Sequence, residues 1–95
     1  IIMVIKNDDY ILEQLSDDSP FWDLTFPKVI NKGKNNERVE FKDPLYGISL
    51  NNARVRIALW RVNRKHPTKE CSPSEFNKLF LEEFTKIKDE LSGIS

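Results

Sequence analysis

His66 and Cys71 are the only histidine and the only cysteine of the chain, and they stand five residues apart. A Cys–His pair is a short route to a nucleophile, because the imidazole can take the thiol proton and the thiolate can then attack. Lys65, Lys69 and the N-terminus of a helix expected just after Cys71 would all depress the thiol pKa. Nearness in sequence is not geometry, however, and a histidine base needs an acidic partner to orient it. The plainer expectation is a histidine that ends a helix before Pro67 and a solvent-side or half-buried cysteine. One His and one Cys cannot fill a tetrahedral zinc site. Asp8-Asp9 and Asp17-Asp18 offer oxygen ligands but lack the spaced acids and glycine of a calcium loop. Gly33, Gly47 and Gly93 lie too far apart for a phosphate-cradling turn, and nothing matches a nucleophile elbow. The residues therefore predict no enzymatic activity, no cofactor and no metal.

Charge is the more informative pattern. From Pro44 to Lys69 there are six basic residues (Arg54, Arg56, Arg61, Arg64, Lys65 and Lys69) and no acid, while the rest of the chain holds nine basic and fifteen acidic residues. The net charge of zero argues against wholesale coating of nucleic acid and against an acidic DNA mimic. The local excess falls on one expected helix, where Arg54, Arg61 and Lys65 share a stripe at spacings of seven and four.

That stripe has three readings. In the first it is structural, and the arginines pair with acids of the second helix or of the N-terminal half across a solvated face. In the second it binds a protein, with Arg54, Trp60, Arg61, Arg64 and Lys65 as the contact set, since Arg and Trp dominate interface energetics. In the third it binds nucleic acid. Arg54, Arg61 and Lys65 would then follow the phosphates, with Arg64, Lys69, Lys32 and Lys34 adding charge. Phe21 and Trp22 are expected to be core, although an exposed aromatic there would favour single-strand stacking.

The elements that position these residues follow from periodicity and turn chemistry. Residues 1–6 are β-branched and apolar and read as a strand. Asn7-Asp8-Asp9 is a turn, and residues 10–15 read as the returning strand, with a short helix as the alternative. Phe21 to Ile30 alternates through Trp22, Leu24 and Phe26 as a half-buried strand, edge-placed or kinked at Pro27. Residues 31–36 form an exposed hairpin loop. Arg38 to Phe41 and Leu45 to Ile48 complete the β-rich half, with Gly47 marking a bend.

The first helix is expected from Ser49, as N-cap, to about His66. It is apolar on two sides: Val55, Leu59 and Val62 on one, and Ala53, Ile57 and Trp60 on the other. A helix of this kind usually lies between two layers. Ser72-Pro73-Ser74-Glu75 opens the second helix with N-cap, N1 proline and capping-box glutamate in order. Its apolar stripe is Phe76, Leu79, Phe80, Phe84, Ile87 and Leu91. Gly93 is expected at C′, and Leu81 lies off the stripe as a candidate second contact together with Trp60. Strands followed by two helices predict one α+β domain over residues 1–95, with a small antiparallel sheet of three to four strands (1–48) and two helices packed on one face (49–95).

This layout resembles a loose class of very short proteins encoded in phages and prophages, most of unknown function. The residues that carry the likeness are Ile5-Lys6-Asn7-Asp8-Asp9-Tyr10, Tyr46-Gly47-Ile48-Ser49-Leu50 leading into an Ala- and Arg-bearing helix, and the last amphipathic helix. The resemblance implies a small protein that binds and redirects a host or defence enzyme; it carries over no functional residue.

A lone cysteine and no apolar run of about 20 residues predict a cytoplasmic protein without a membrane span. Ile1 to Ile5 is too short, and lacks the basic lead-in, for a signal peptide, and Met3 is a candidate start. A protein partner is the leading expectation, a nucleic acid the alternative. A homodimer is the third, through the unassigned apolar side of the first helix.

Overall fold

The computed structural model describes residues 3–65 and 72–93. The described chain is α+β and divides into two compact units, Ile1–Leu50 and Asn51–Ser95.

The first unit carries six strands, β1 (Val4–Lys6), β2 (Ile11–Gln14), β3 (Phe21–Thr25), β4 (Pro27–Ile30), β5 (Arg38–Phe41) and β6 (Leu45–Ser49). Four form an antiparallel sheet in the order β1-β2-β3-β6. The β1–β2 hairpin is closed by Asn7, whose side-chain oxygen accepts from the backbone N–H of Asp9 at 2.8 Å and of Tyr10 at 3.0 Å. Such a side chain mimics a backbone turn, which is why residues 10–15 return as a strand and not as a helix. The next loop is held by Gln14, which donates to the carbonyls of Asp17 and Ser19.

Register sorts the side chains by face. Leu12 lies opposite Leu24, and Gln14 opposite Trp22; Leu12, Trp22 and Leu24 are buried. The other face presents Val4, Glu13, Phe21 and Asp23, of which Val4 and Phe21 are well exposed.

The stretch from Phe21 to Ile30 is not one kinked strand. β3 ends at Thr25, and β4 begins at Pro27 in a separate two-stranded sheet with β5. Proline has no N–H to give a central ladder, so the chain leaves the main sheet there. The loop between β4 and β5 turns through left-handed Asn31 and Gly33.

Gly47 does more than bend its strand. Trp22 pairs with Ile48 and Leu24 with Leu45, so β6 carries one extra residue against β3. Gly47 sits at φ +62° in this bulge, and its N–H donates to the Asp23 carboxylate at 3.0 Å. Glycine adopts that backbone without strain.

The second unit holds α1 (Leu50–Lys65) and α2 (Pro73–Glu90). α1 follows β6 directly, and Ser49 is the last residue of that strand. The stop expected at His66-Pro67 lies outside the described residues. α2 opens as its residues dictate: the Ser72 hydroxyl accepts from the Glu75 N–H, and Pro73 occupies the first turn. Its end differs from expectation. Leu91 is the C-cap, and its N–H bonds back to Asp89 and Ile87. Gly93 therefore lies one position beyond C′ and is not left-handed. Ile87 and Leu91 are fully buried, while Phe76, Leu79, Phe80 and Phe84 are only half-buried, with Phe80 and Phe84 stacked at 5.8 Å.

Candidate functional site

The basic residues of α1 are placed by its buried face, which comprises Ala53, Ile57, Ala58, Arg61 and Val62. At 3.6 residues per turn, Ala53 and Ile57 form one border of this face and Ala58 and Val62 the other. The expected stripe of Arg54, Arg61 and Lys65 runs between those borders, along the middle of the face. Along it Arg61 is buried, Arg54 half-buried and Lys65 exposed.

Its charges are met by α2. The Arg61 guanidinium, only 9% accessible, makes a two-pronged bond to the Glu90 carboxylate at 2.6 and 3.1 Å. Lys65 donates to Glu83 at 2.6 Å, and Lys86 approaches the same oxygen from one turn away at 3.5 Å. Stepping back along α1 from Lys65 to Arg61 steps forward along α2 from Glu83 to Glu90, so the two helices run antiparallel across this seam. Planar two-pronged geometry is the strong form of an ion pair. Of the three readings of the stripe, the structural pairing is the one present for Arg61 and Lys65. In each pair only one partner is buried, which places it between an exposed and a fully buried pair.

The remaining expected contacts lie elsewhere on α1. Trp60 is half-buried, and the Arg64 guanidinium, one turn on, stacks 4.8 Å from the centre of its ring. This is cation–π geometry, favoured because the ring face is electron-rich. Arg54 is half-buried, and its Nε is buried with no hydrogen-bond partner among the described residues. Arg56 is exposed and donates to Asn52 at 3.2 Å. The structure thus brings Trp60 and Arg64 together and commits Arg61 and Lys65 to α2. His66, Lys69 and Cys71 lie outside the described residues. Lys32 and Lys34 are exposed in the β4–β5 loop, Trp22 is buried, and Phe21 is half-exposed on a face it shares with Glu13 and Asp23. Leu81 is exposed on α2.

Three carboxylates have displaced pKa values, all downward. Burial pushes Glu83 up, but the bond from Lys65 and the charges of Lys65 and Lys86 outweigh it and hold the group below its ordinary range. Glu40 is lowered chiefly by its bond from Arg38, and Asp43 by its bond from Lys28. Each is a carboxylate kept ionised by a cation, the opposite of an acid or base poised near neutrality. Among the described residues, no three His, Cys, Asp or Glu side chains converge as a metal ion would require. No described helix is long and apolar enough to cross a membrane.

Acids of the second helix were among the expected partners of the stripe, and Glu83 and Glu90 are the two that meet it. A signal was present, since they stand seven apart on the stripe that also holds Ile87. Compared with known proteins, the chain matches no family model, no curated protein and no solved structure.

Proposed function

We propose that this protein is a small non-catalytic binding module whose partner is another protein, and that Trp60 and Arg64 on α1 are its central contact. The observation that carries this reading is the Arg64 guanidinium stacked on a half-buried Trp60 ring. An aromatic ring and a guanidinium held together before binding lose little freedom on docking, and Trp and Arg are the residue types that dominate interface energies. The resemblance to short phage-encoded proteins supports a host or defence enzyme as the partner, modulated or inhibited by docking.

Phosphate tracking by the stripe has less support, because Arg61 and Lys65 already neutralise Glu90 and Glu83. The exposed ring of Phe21 does not restore it, since Glu13 and Asp23 on the same face repel phosphate.

The test has two arms. Wild type, Trp60→Ala and Arg64→Glu are used as bait in a bacterial lysate, after circular dichroism has shown that the variants keep their helices. A protein retained by wild type and lost by both variants supports the reading, and equal capture by all three overturns it. Tryptophan fluorescence is also titrated with short oligonucleotides at about 50 and 200 mM salt, where several phosphate contacts would cost orders of magnitude in affinity. Micromolar binding that collapses at the higher salt would transfer the function to nucleic acid.

A further inference from the structure

The β4–β5 ribbon is unfinished as a sheet. It has two strands, and no third strand joins it among the described residues. Each strand therefore has an outer edge of backbone donors and acceptors, and an isolated pair is at best marginally stable in water. The two edges are not equivalent. β4 begins with Pro27, which lacks an N–H and guards its edge, while β5 reads Arg38-Val39-Glu40-Phe41 and has no such guard.

The residues of β5 are complementary to themselves. An antiparallel pairing of β5 with a second β5, centred on Val39, sets Val39 against Val39 and Arg38 against Glu40 twice over. Centring on Arg38 or on Glu40 sets like charges against each other, and centring between Val39 and Glu40 sets an apolar side chain against a carboxylate. Among the registers that pair at least three residues of β5, the Val39 register is the one that sets opposite charges against each other.

The ribbon is already arranged for that register. Val29 and Val39 are cross-strand partners, and both are exposed, at 51% and 63%. Pairing through β5 would join them into one apolar row of Val29, Val39 and the same two residues of the second copy. On the other face Lys28 lies opposite Glu40, and Arg38 is bonded to Glu40 two residues away within its own strand. In the paired ribbon each Glu40 would sit between Lys28 of its own chain and Arg38 of the second copy, so that each carboxylate is flanked by cations.

We propose that β5 is a homodimerisation edge, and that two copies of this chain complete a four-stranded antiparallel sheet about a two-fold axis at Val39. Such a contact is isologous, so it closes on itself and does not propagate. The paired strands are short and the buried area is correspondingly small, which predicts a weak, reversible dimer at micromolar or higher concentration. This surface lies on the first unit and is independent of the Trp60–Arg64 contact.

The test is a charge swap read by sedimentation velocity on the full chain from micromolar to high micromolar concentration. Wild type is expected to shift from monomer to dimer as concentration rises. Arg38→Glu and Glu40→Arg each place like charges opposite one another twice, and each is expected to weaken self-association by about tenfold or more. A mixture of the two variants restores both pairs in a heterodimer, and so does the double variant R38E/E40R with itself. Circular dichroism identical to wild type shows that the ribbon's host unit is intact. Recovery in the mixture supports the proposal, because a merely damaged fold would not be rescued by a second damaged chain. Wild type that stays monomeric throughout, single variants that associate like wild type, or a mixture that stays monomeric would each overturn it.

Discussion

Replacing Lys65 with methionine tests the seam between α1 and α2 most directly. The change keeps the alkyl stem and removes the ammonium, so Glu83 loses the partner at 2.6 Å and retains only Lys86 at 3.5 Å. Removing one member of a fully buried pair costs about 3–5 kcal/mol, and an exposed pair contributes at most about 1 kcal/mol. Here the Glu83 side chain is 8% accessible and that of Lys65 46%. The expected cost at neutral pH therefore lies between those limits, about 1.5–2.5 kcal/mol.

The pH dependence gives a sharper signature than the magnitude. In wild type, Glu83 is held below its ordinary value of 4.5, so its contribution is fully present above that pH and is lost as pH falls through the lowered folded value. In the variant, burial is opposed by Lys86 alone and the folded pKa moves up. The folded state then binds its proton more readily, and the stability gap to wild type narrows as pH falls from neutral toward 4.5. Urea unfolding followed by tryptophan fluorescence and far-UV circular dichroism measures the gap. Adding Glu83→Gln to Lys65→Met is expected to recover part of the loss, because the stranded charge is gone. A neutral-pH difference under about 0.5 kcal/mol, the range of an ordinary surface substitution, would refute the reasoning. So would a gap that widens on acidification.

Three further outcomes follow from single contacts. Leu24→Ala empties a fully buried site opposite Leu12 and is expected to cost about 2–5 kcal/mol in urea unfolding. Gly47→Ala meets no atom within 4 Å, so its cost comes only from the left-handed backbone, about 1–2 kcal/mol by thermal or chemical denaturation. Ser72→Ala removes the acceptor for the Glu75 N–H and is expected to cost about 1 kcal/mol, with faster hydrogen exchange confined to the first turn of α2.

The elements governed by local chemistry were legible in the sequence. Asn7 closes a hairpin with its own side chain, Ser72 and Pro73 open a helix, and alternation buries Trp22 and Leu24, all within a few residues of chain. The departures arise where a choice depends on something distant. Pro27 announces that a central ladder must break, but whether the chain kinks within its sheet or leaves for another depends on what pairs with residues 27–30, and that is β5, across a loop. The bulge at Gly47 depends on the register of β3 against β6, more than 20 residues apart.

The basic stripe was the least legible feature. Residue type argues for solvent at Arg54, Arg61 and Lys65, and the apolar residues on either side read as two separate faces when they are the two borders of one. Only the acids of α2, 29 residues from Arg61 in the case of Glu90, reveal that Arg61 and Lys65 in the middle of that face are paired.

A neutral chain that concentrates its positive charge in one segment needs an anion for that segment, either a partner's or its own. For Arg61 and Lys65 the anions are Glu90 and Glu83 of the same chain. In each pair one partner is buried and the other exposed, so salt weakens them less than a fully exposed pair. The zero net charge and the uneven charge distribution are thus two sides of one arrangement, in which the acid-free α1 and the acid-bearing α2 are built to meet. In the proposed contact, what α1 offers is aromatic more than electrostatic: the Trp60 ring with Arg64 already laid upon it. A contact of that kind depends on shape and desolvation, and it distinguishes a protein surface from a phosphate chain, for which a dispersed row of unpaired cations would serve better.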